Sequence, residues 1–206
     1  MSLAMRLWNE NRDLAEASLN NPFVRGILDG TLERRKFAYY VSQDAFFLRA
    51  FARAYVIAGA KAQEWSDFIQ LHELAAGVFN ELKLHGKYAA SWDVDLQNVQ
   101  PGAATRRYTD FVMATAWGEG TGLIVTALTP CMRLYSWLGR ELAAQHPEAH
   151  VYRDWIDTYA ADEIDQLATQ LEDIVNRCAP DDARTHAVYR YAMECERDFF
   201  QAAFDR

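Results

Sequence analysis

The sequence lacks the features that mark membrane and nucleic-acid proteins. No stretch of about 18 apolar residues occurs in it, so no transmembrane helix is expected. Its amino terminus carries no long apolar run of the kind found in a signal peptide. The basic runs do not exceed Arg34-Arg35-Lys36 and Arg106-Arg107, and the net charge is −8. Nucleic-acid binders usually carry a basic stripe, so we expect no nucleic-acid partner. The missing apolar runs lead us to expect a cytoplasmic protein without a membrane partner.

Cysteines are few, and metal-binding motifs are missing. The sequence has 3 cysteines, Cys131, Cys178 and Cys195, which are widely spaced and form no CxxC motif. An odd count at this spacing argues against a disulfide framework and a structural zinc site. Glu-x-x-His, the ligand pair of di-iron bundles, does not occur, and Glu81 and His85 stand four apart instead of three. We therefore expect free thiols, a reducing compartment and no metal or other cofactor.

Aromatic residues, by contrast, are abundant. The chain has 206 residues, of which 50% are hydrophobic, with 11 Phe, 10 Tyr and 6 Trp. This composition predicts a globular protein whose aromatic side chains line a core, a pocket or a subunit interface. No repeat, linker or low-complexity tract divides the sequence. We expect one helical domain over residues 1–206, with residues 1–4 as candidate cloning residues and Met5 as the natural start.

Apolar residues recur with the helical period of about 3.6 along nearly the whole chain, and strand-like alternation is scarce. The pattern predicts an all-α bundle of eight or more helices. The expected helices cover residues 4–19, 22–29, 33–58, 64–86, 103–117, a long helix ending near 144, and 150–160, 162–177 and 181–204.

The connections carry further expectations. Thr31 is expected to cap the helix that follows it, with Glu33 placed early to favour the helix dipole. The longest loop is expected from Gly86 to Gly102, and loops of this length often form lids or pocket walls. The GEGTG run at 118–122 lacks the spacing of a phosphate-binding loop. It is expected to break a helix or to allow tight helix packing.

Two acids stand on apolar helix faces. Asp44 shares its face with Tyr40, Phe47, Leu48 and Phe51. A carboxylate in that setting is desolvated, so it requires a partner or a function.

Glu196 repeats this pattern near the carboxyl end. The residues on its face are Tyr189, Ala192, Met193, Phe199, Phe200 and Ala203. Desolvation would raise the pKa of Glu196 and make it a proton donor near neutral pH. The alternative is a buried acid that a tyrosine or a backbone group satisfies.

Cys131 follows Pro130, which is expected to kink the helix, and shares a face with Tyr135. A free cysteine is usually a small core residue. A nucleophilic role needs a base or a positive field nearby, and Asp44 would be that base if the fold brings the two together. Three tyrosines lie on or beside apolar helix faces, namely Tyr108, Tyr135 and Tyr159. Each of them, considered alone, is expected to be a core residue.

Three blocks of this sequence resemble the TenA, or thiaminase II, family, whose fold is the all-α haem-oxygenase-like bundle. The blocks run from Asn21 to Leu48, from Leu128 to Tyr135 with Gly139 after it, and from Trp155 to Glu163. The Glu196 helix follows in the expected order. Members of this family are typically homotetramers.

The resemblance implies a hydrolase of aminopyrimidines. The substrate would be thiamin or its aminomethylpyrimidine breakdown product, cleaved at the methylene on the pyrimidine ring to give hydroxymethylpyrimidine. The resemblance implies that Cys131 is the nucleophile, that Asp44 assists the thiol and holds the ring amino group, and that Glu196 exchanges a proton with a ring nitrogen. Phe47 and Tyr108 would form the walls around the ring. Tyr135 and Tyr159 would form hydrogen bonds near the sulfur and the departing group.

Three positions depart from the family pattern. Phe47 stands where tyrosine is common, Arg133 stands where an aromatic residue is common, and Met132 is atypical. These departures are expected to affect the preferred substrate more than the reaction class. Two other functions fit the same fold: a non-catalytic pyrimidine-binding or regulatory protein, and an oxygen- or cofactor-dependent oxidase.

Overall fold

The structure, a computed structural model, describes residues 1–91, 96 and 98–206, and the side chains of all of these except 80, 83–88, 90 and 91. The described residues form ten α-helices and no strand, which confirms the all-α prediction. The helices are α1 (Leu3–Glu10), α2 (Arg12–Leu19), α3 (Pro22–Leu28), α4 (Arg34–Lys61), α5 (Trp65–Ser91), α6 (Ala103–Gly118), α7 (Thr121–Ala143), α8 (Arg153–Ala160), α9 (Asp162–Cys178) and α10 (Ala183–Phe204).

The expected first helix is in fact two helices that meet at Asn11. Its side-chain amide donates to the carbonyl of Leu7 at 2.8 Å, which satisfies an acceptor in the last turn of α1. Asn11 also occupies the position before the first residue of α2. A side chain that competes for backbone groups thus ends one helix where apolar periodicity alone shows no break.

The start of α4 also differs from the prediction. Thr31 does not cap this helix, because its backbone N–H closes the turn after α3 by donating to Gly26 at 3.0 Å. Glu33 occupies the N-cap position without a side-chain capping bond, and its carboxylate pairs with Arg35 at 2.7 Å.

The expected loop from Gly86 to Gly102 begins later than predicted, because α5 continues to Ser91. Residues 92–95 and 97 of that loop lie outside the described residues. No helix in the described part of the chain is long and apolar enough to span a membrane.

Two helices organise the packing. Helix α4 contacts α5, α6 and α7, and α7 contacts α8, α9 and α10. Glycines let α7 approach its neighbours closely: a Cβ at Gly122 would overlap the backbone of Cys178, and a Cβ at Gly139 would overlap the backbone of Tyr159. The GEGTG run therefore has both expected roles, since it separates α6 from α7 and supplies one of these contacts.

Candidate active site

Four helices direct side chains into one cavity. Its lining, within the described residues, consists of Asp44 and Phe47 from α4, Tyr108 from α6, Cys131 and Tyr135 from α7, and Glu196 and Phe199 from α10. Six of the seven expected site residues are in this set. The cavity volume is about 10 Å³, which is roughly the room that one water molecule needs.

Glu196 is a desolvated acid, as its apolar helix face predicted. It is 2% exposed and accepts a hydrogen bond from the Tyr108 hydroxyl at 2.7 Å. Burial, with a further contribution from the charge of Asp44, raises the pKa of Glu196 to about 8. The carboxyl group is therefore mostly protonated at neutral pH and is able to donate a proton.

Cys131 is half-buried and lies beside two acids. Burial raises the pKa of its thiol well above the usual value, and the charges of Glu196 and Asp44 raise it further. The Glu196 carboxyl group and the thiol line the same cavity. The part of the lining that the structure describes holds no positively charged side chain, so the raised pKa keeps the thiol protonated in the absence of a base.

Asp44 is 6% exposed and acts on most of the site through its charge. Besides Cys131 and Glu196, it raises the pKa values of Tyr135 and Tyr159. The fold thus brings Asp44 near the cysteine, which is the condition that the sequence left open.

A directional chain of hydrogen bonds holds Tyr135. The indole N–H of Trp155 donates to the Tyr40 hydroxyl at 3.3 Å, and Tyr40 lies 3.2 Å from the Tyr135 hydroxyl. An indole N–H can only donate, so the Tyr40 hydroxyl accepts a hydrogen bond from Trp155. The Tyr40 hydroxyl in turn donates a hydrogen bond to Tyr135. The Tyr135 proton is then directed to other acceptors, and the cavity lies beside it.

Tyr159 is the one expected site residue that does not line the cavity. Its ring packs edge-on against the ring of Tyr135, with centroids 4.8 Å apart. Its hydroxyl donates to Oε1 of Glu81 at 3.3 Å. Tyr159 therefore stands directly behind Tyr135 and connects the site to α5.

Two residues of this region have no assigned role in the sequence-based prediction. Phe199 lies on the same helix face as Glu196, where its pattern is that of a core residue, and it lines the cavity. Glu81 enters the sequence argument only as a failed metal motif, and no local signal marks its contact with Tyr159. Phe47 and Tyr108 complete the aromatic wall, with ring centroids 4.6 Å apart.

Arg133 lies away from the cavity. Two residues after Cys131, it projects about 200° around α7 from the thiol. Its guanidinium bonds Asp165 at 2.6 Å and Glu172 at 2.6 Å, both on α9. No contact of Arg133 with the cavity therefore supports the expectation that it affects substrate choice. Met132 packs against the hydrophobic core, so no contact supports the same expectation for Met132.

No metal-binding cluster accompanies this cavity within the described residues, since no three side chains of His, Cys, Asp or Glu are grouped to hold an ion. The donor set of the cavity is one thiol, two carboxyl groups and two phenols. These groups suit nucleophilic addition and proton transfer.

A sequence model of the TENA/THI-4/PQQC family matches residues 8–206. The chain belongs to this family. It is 32% identical to the mitochondrial bifunctional TH2 protein of Arabidopsis thaliana, over 98% of this chain and 37% of that protein. It is 28% identical to an aminopyrimidine aminohydrolase of Halalkalibacterium halodurans, over 100% of this chain and 96% of that protein. The chain thus spans only about a third of the length of the first relative.

Solved structures agree with the family assignment. A TenA homologue from P. horikoshii has a TM-score of 0.92 at 25% identity, covering 100% of this chain and 99% of its own. Haem oxygenase-1 from the cyanobacterium Synechocystis has a TM-score of 0.64 at 20% identity, covering 98% of this chain and 92% of its own. The fold of this TenA-family chain is therefore the haem-oxygenase-like bundle.

Proposed function

We propose that this protein is an aminopyrimidine aminohydrolase of the thiaminase II type. It releases hydroxymethylpyrimidine from thiamin or from the aminomethylpyrimidine left by thiamin breakdown. The observation that carries the proposal is the meeting of Cys131 with Glu196 and Asp44 in an aromatic-lined cavity. The similarity of the chain to the aminopyrimidine aminohydrolase of Halalkalibacterium halodurans supports it.

Substrate binding requires the cavity to enlarge. A pyrimidine ring is much larger than the present volume of about 10 Å³, so the side chains that line the cavity must move apart to admit it. The ring then stacks on Phe47 and Tyr108, where apolar burial and ring–ring contact favour it. Glu196 faces a ring nitrogen, and Asp44 holds the ring amino group.

The chemistry divides between the two acids. The sulfur of Cys131 adds to the pyrimidine ring while Asp44 takes the thiol proton, and Glu196 gives its proton to the ring nitrogen. The ring loses its aromaticity, which allows the departing amine or thiazole to leave from the methylene carbon. Water then adds at that carbon, and the C–S bond breaks to restore the ring and the thiol. The raised pKa of Glu196, which keeps its carboxyl group protonated at neutral pH, fits this division of roles.

The first test is a chromatographic assay for hydroxymethylpyrimidine with thiamin and aminomethylpyrimidine as separate substrates. Cys131→Ala should lower turnover by at least about a thousandfold, because the nucleophile is lost. Cys178→Ala is the matched control, since its half-buried thiol bonds Asp67 at 3.3 Å and does not line the cavity. Unchanged turnover in Cys131→Ala would refute the mechanism.

Measurements of pyrimidine binding and of bound iron, made beside this assay, distinguish the other two functions. Tight pyrimidine binding by the wild-type protein without turnover would favour a binding or regulatory role. Bound iron or a visible absorption band in the purified protein would favour an oxidase.

We also propose a homotetramer. Helices α4 to α6 present an apolar groove of about 470 Å³ that is lined by Val56, Phe79 and Trp117, which is 71% exposed. Exposed apolar surface of this kind marks an interaction site, and further copies of the chain are its proposed occupants.

The cellular setting is a proposal of the same kind. We place the protein in the cytoplasm as one domain over residues 1–206, acting on a small molecule without a cofactor or a nucleic-acid partner. Three free cysteines suit a reducing compartment, and a net charge of −8 does not favour phosphate backbones.

A further inference from the structure

Glu81 lies one side chain behind the wall of the cavity. Its carboxylate accepts a hydrogen bond from the Tyr159 hydroxyl, with 3.3 Å between the oxygens. The ring of Tyr159 packs against Tyr135, which lines the cavity. When the lining rings separate to admit a substrate, Tyr159 is the next group on that side.

This hydrogen bond fixes what the Tyr159 oxygen can do. A phenol hydroxyl has one hydrogen to donate, and Tyr159 uses it in the hydrogen bond to Glu81. The oxygen therefore serves any further partner as an acceptor, and the neighbouring carboxylate makes it a stronger one. An acceptor of this kind favours N–H donors and positive charge.

The charges around the cavity point the same way. Among the described residues, its lining contains Asp44 and Glu196 and no Lys, Arg or His. The charge of Glu81 also reaches the site, since it raises the pKa values of Cys131 and Tyr159. The charge that raises the pKa of Glu196 is instead that of Asp44. Glu81 therefore acts on Tyr159 and Cys131, whereas Glu196 acts on Cys131 and Tyr108.

We propose that Glu81 is a positioning residue that, through Tyr159, selects substrates whose departing group is a cation with N–H donors. The inference rests on the proposed function, in which Glu196 faces a ring nitrogen, and it adds that the methylene substituent extends towards Tyr159. The ammonium form of aminomethylpyrimidine meets both requirements. The thiazolium of thiamin carries the charge without N–H donors, and a hydroxymethyl group carries no charge. The site thus prefers the aminomethyl compound to thiamin.

The test measures binding without turnover, in a Cys131→Ser background, by calorimetry with aminomethylpyrimidine and hydroxymethylpyrimidine as probes. Adding Glu81→Gln should raise the Kd of the ammonium compound by about tenfold, because one partly desolvated charge interaction is lost. The Kd of the neutral compound should change by less than about twofold. Glu81→Asp should retain part of the preference for the ammonium compound over the neutral compound. Tyr159→Phe should lower this preference relative to the Cys131→Ser protein.

Glu73→Gln is the matched control, because Glu73 is an exposed acid of the same helix. Equal weakening of both probes in Glu81→Gln, or an unchanged ratio of their Kd values, would overturn the inference while leaving the proposed function intact. Failure of either probe to bind the Cys131→Ser protein would overturn the proposed function and this inference with it. If Glu81→Gln does not fold, Tyr159→Phe alone decides, since an unchanged ratio in that variant also contradicts the proposal.

Discussion

At the scale of single residues, one physical cause gives the two central groups of the site different roles. Burial raises the pKa of Glu196 and the pKa of Cys131, because both lose solvation in the ionised form. For the acid this produces a proton donor near neutral pH. For the thiol it favours the protonated form, so in the proposed mechanism a base takes the proton as the sulfur attacks.

Glu196→Gln should change stability and activity in opposite directions. The ordinary pKa of a glutamate is 4.5, and that of folded Glu196 is about 8. The unfolded chain therefore releases this proton at lower pH than the folded chain, and the free energy of unfolding falls as pH rises from about 4.5 to about 8. The cost reaches a few kcal/mol at pH above that range.

The glutamine variant avoids this cost but cannot donate the proton. Its melting temperature should exceed that of the wild type by a margin that grows between pH 5 and pH 8, while turnover falls by about a hundredfold or more. Thermal unfolding across that range and the product assay check both parts. A constant difference in melting temperature across the range would contradict the raised pKa.

At the scale of elements, α7 is the helix on which the site depends. It carries Cys131 and Tyr135 towards the cavity and Arg133 towards α9. Gly139 and Gly122 bring its backbone against α8 and the end of α9. Side chains at these glycines would push the helices apart and move the thiol relative to the acids on α4 and α10.

Gly139→Ala should therefore destabilise the protein by about 2–4 kcal/mol, because the added methyl group overlaps the backbone of Tyr159. Gly77→Ala is the control: it lies in α5, where an added Cβ meets nothing within 4 Å, and should stabilise by about 0.5–1 kcal/mol. Denaturant unfolding measures both. Equal stability of the two variants would show that the close contact of α7 with α8 is not required.

Arg133 gives a second prediction for this helix. Its side chain is 16% exposed and pairs with Asp165 and Glu172, so Arg133→Gln should lower stability by about 1–3 kcal/mol. The ratio of kcat/KM for thiamin and aminomethylpyrimidine should stay the same, since Arg133 does not line the cavity. A changed ratio would mean that Arg133 influences substrate choice despite its position.

At the scale of the whole molecule, the apolar groove between α4, α5 and α6 determines how the protein should assemble. Trp117 and Phe79 are 71% and 52% exposed, although they are large apolar side chains. Covering them removes apolar surface from water, and each fully buried side chain of this size contributes about 2–3 kcal/mol.

Charges on this surface should break the assembly. Phe79→Glu combined with Trp117→Lys should reduce the molecular mass measured by light scattering from that of a tetramer to a smaller species, because both charges would lie in an apolar interface. Val151→Lys is the control, since Val151 is 55% exposed and lies before α8, away from the groove. A wild-type monomer, or a double variant with unchanged mass, would contradict the proposed interface.

The sequence by itself determined the helical class and the residues with unusual surroundings. The helical period located the main elements, and the apolar faces around Asp44 and Glu196 marked both acids as buried, because periodicity reports which residues share one face of one helix. Local pattern also singled out Cys131 and the three tyrosines, and the family resemblance gave them their expected roles. Asn11, Thr31 and the end of α5 were misjudged, because side-chain and backbone hydrogen bonds decide helix ends more than apolar pattern does.

Only the tertiary structure decided which faces meet. It placed the Cys131 thiol beside Glu196 as well as Asp44, turned Arg133 towards α9, and set Tyr159 behind Tyr135 with Glu81 as its partner. These contacts join residues from helices far apart in the sequence. Periodicity within a single helix carries no information about its neighbours, so the packing of α4, α5, α7, α8, α9 and α10 had to supply them.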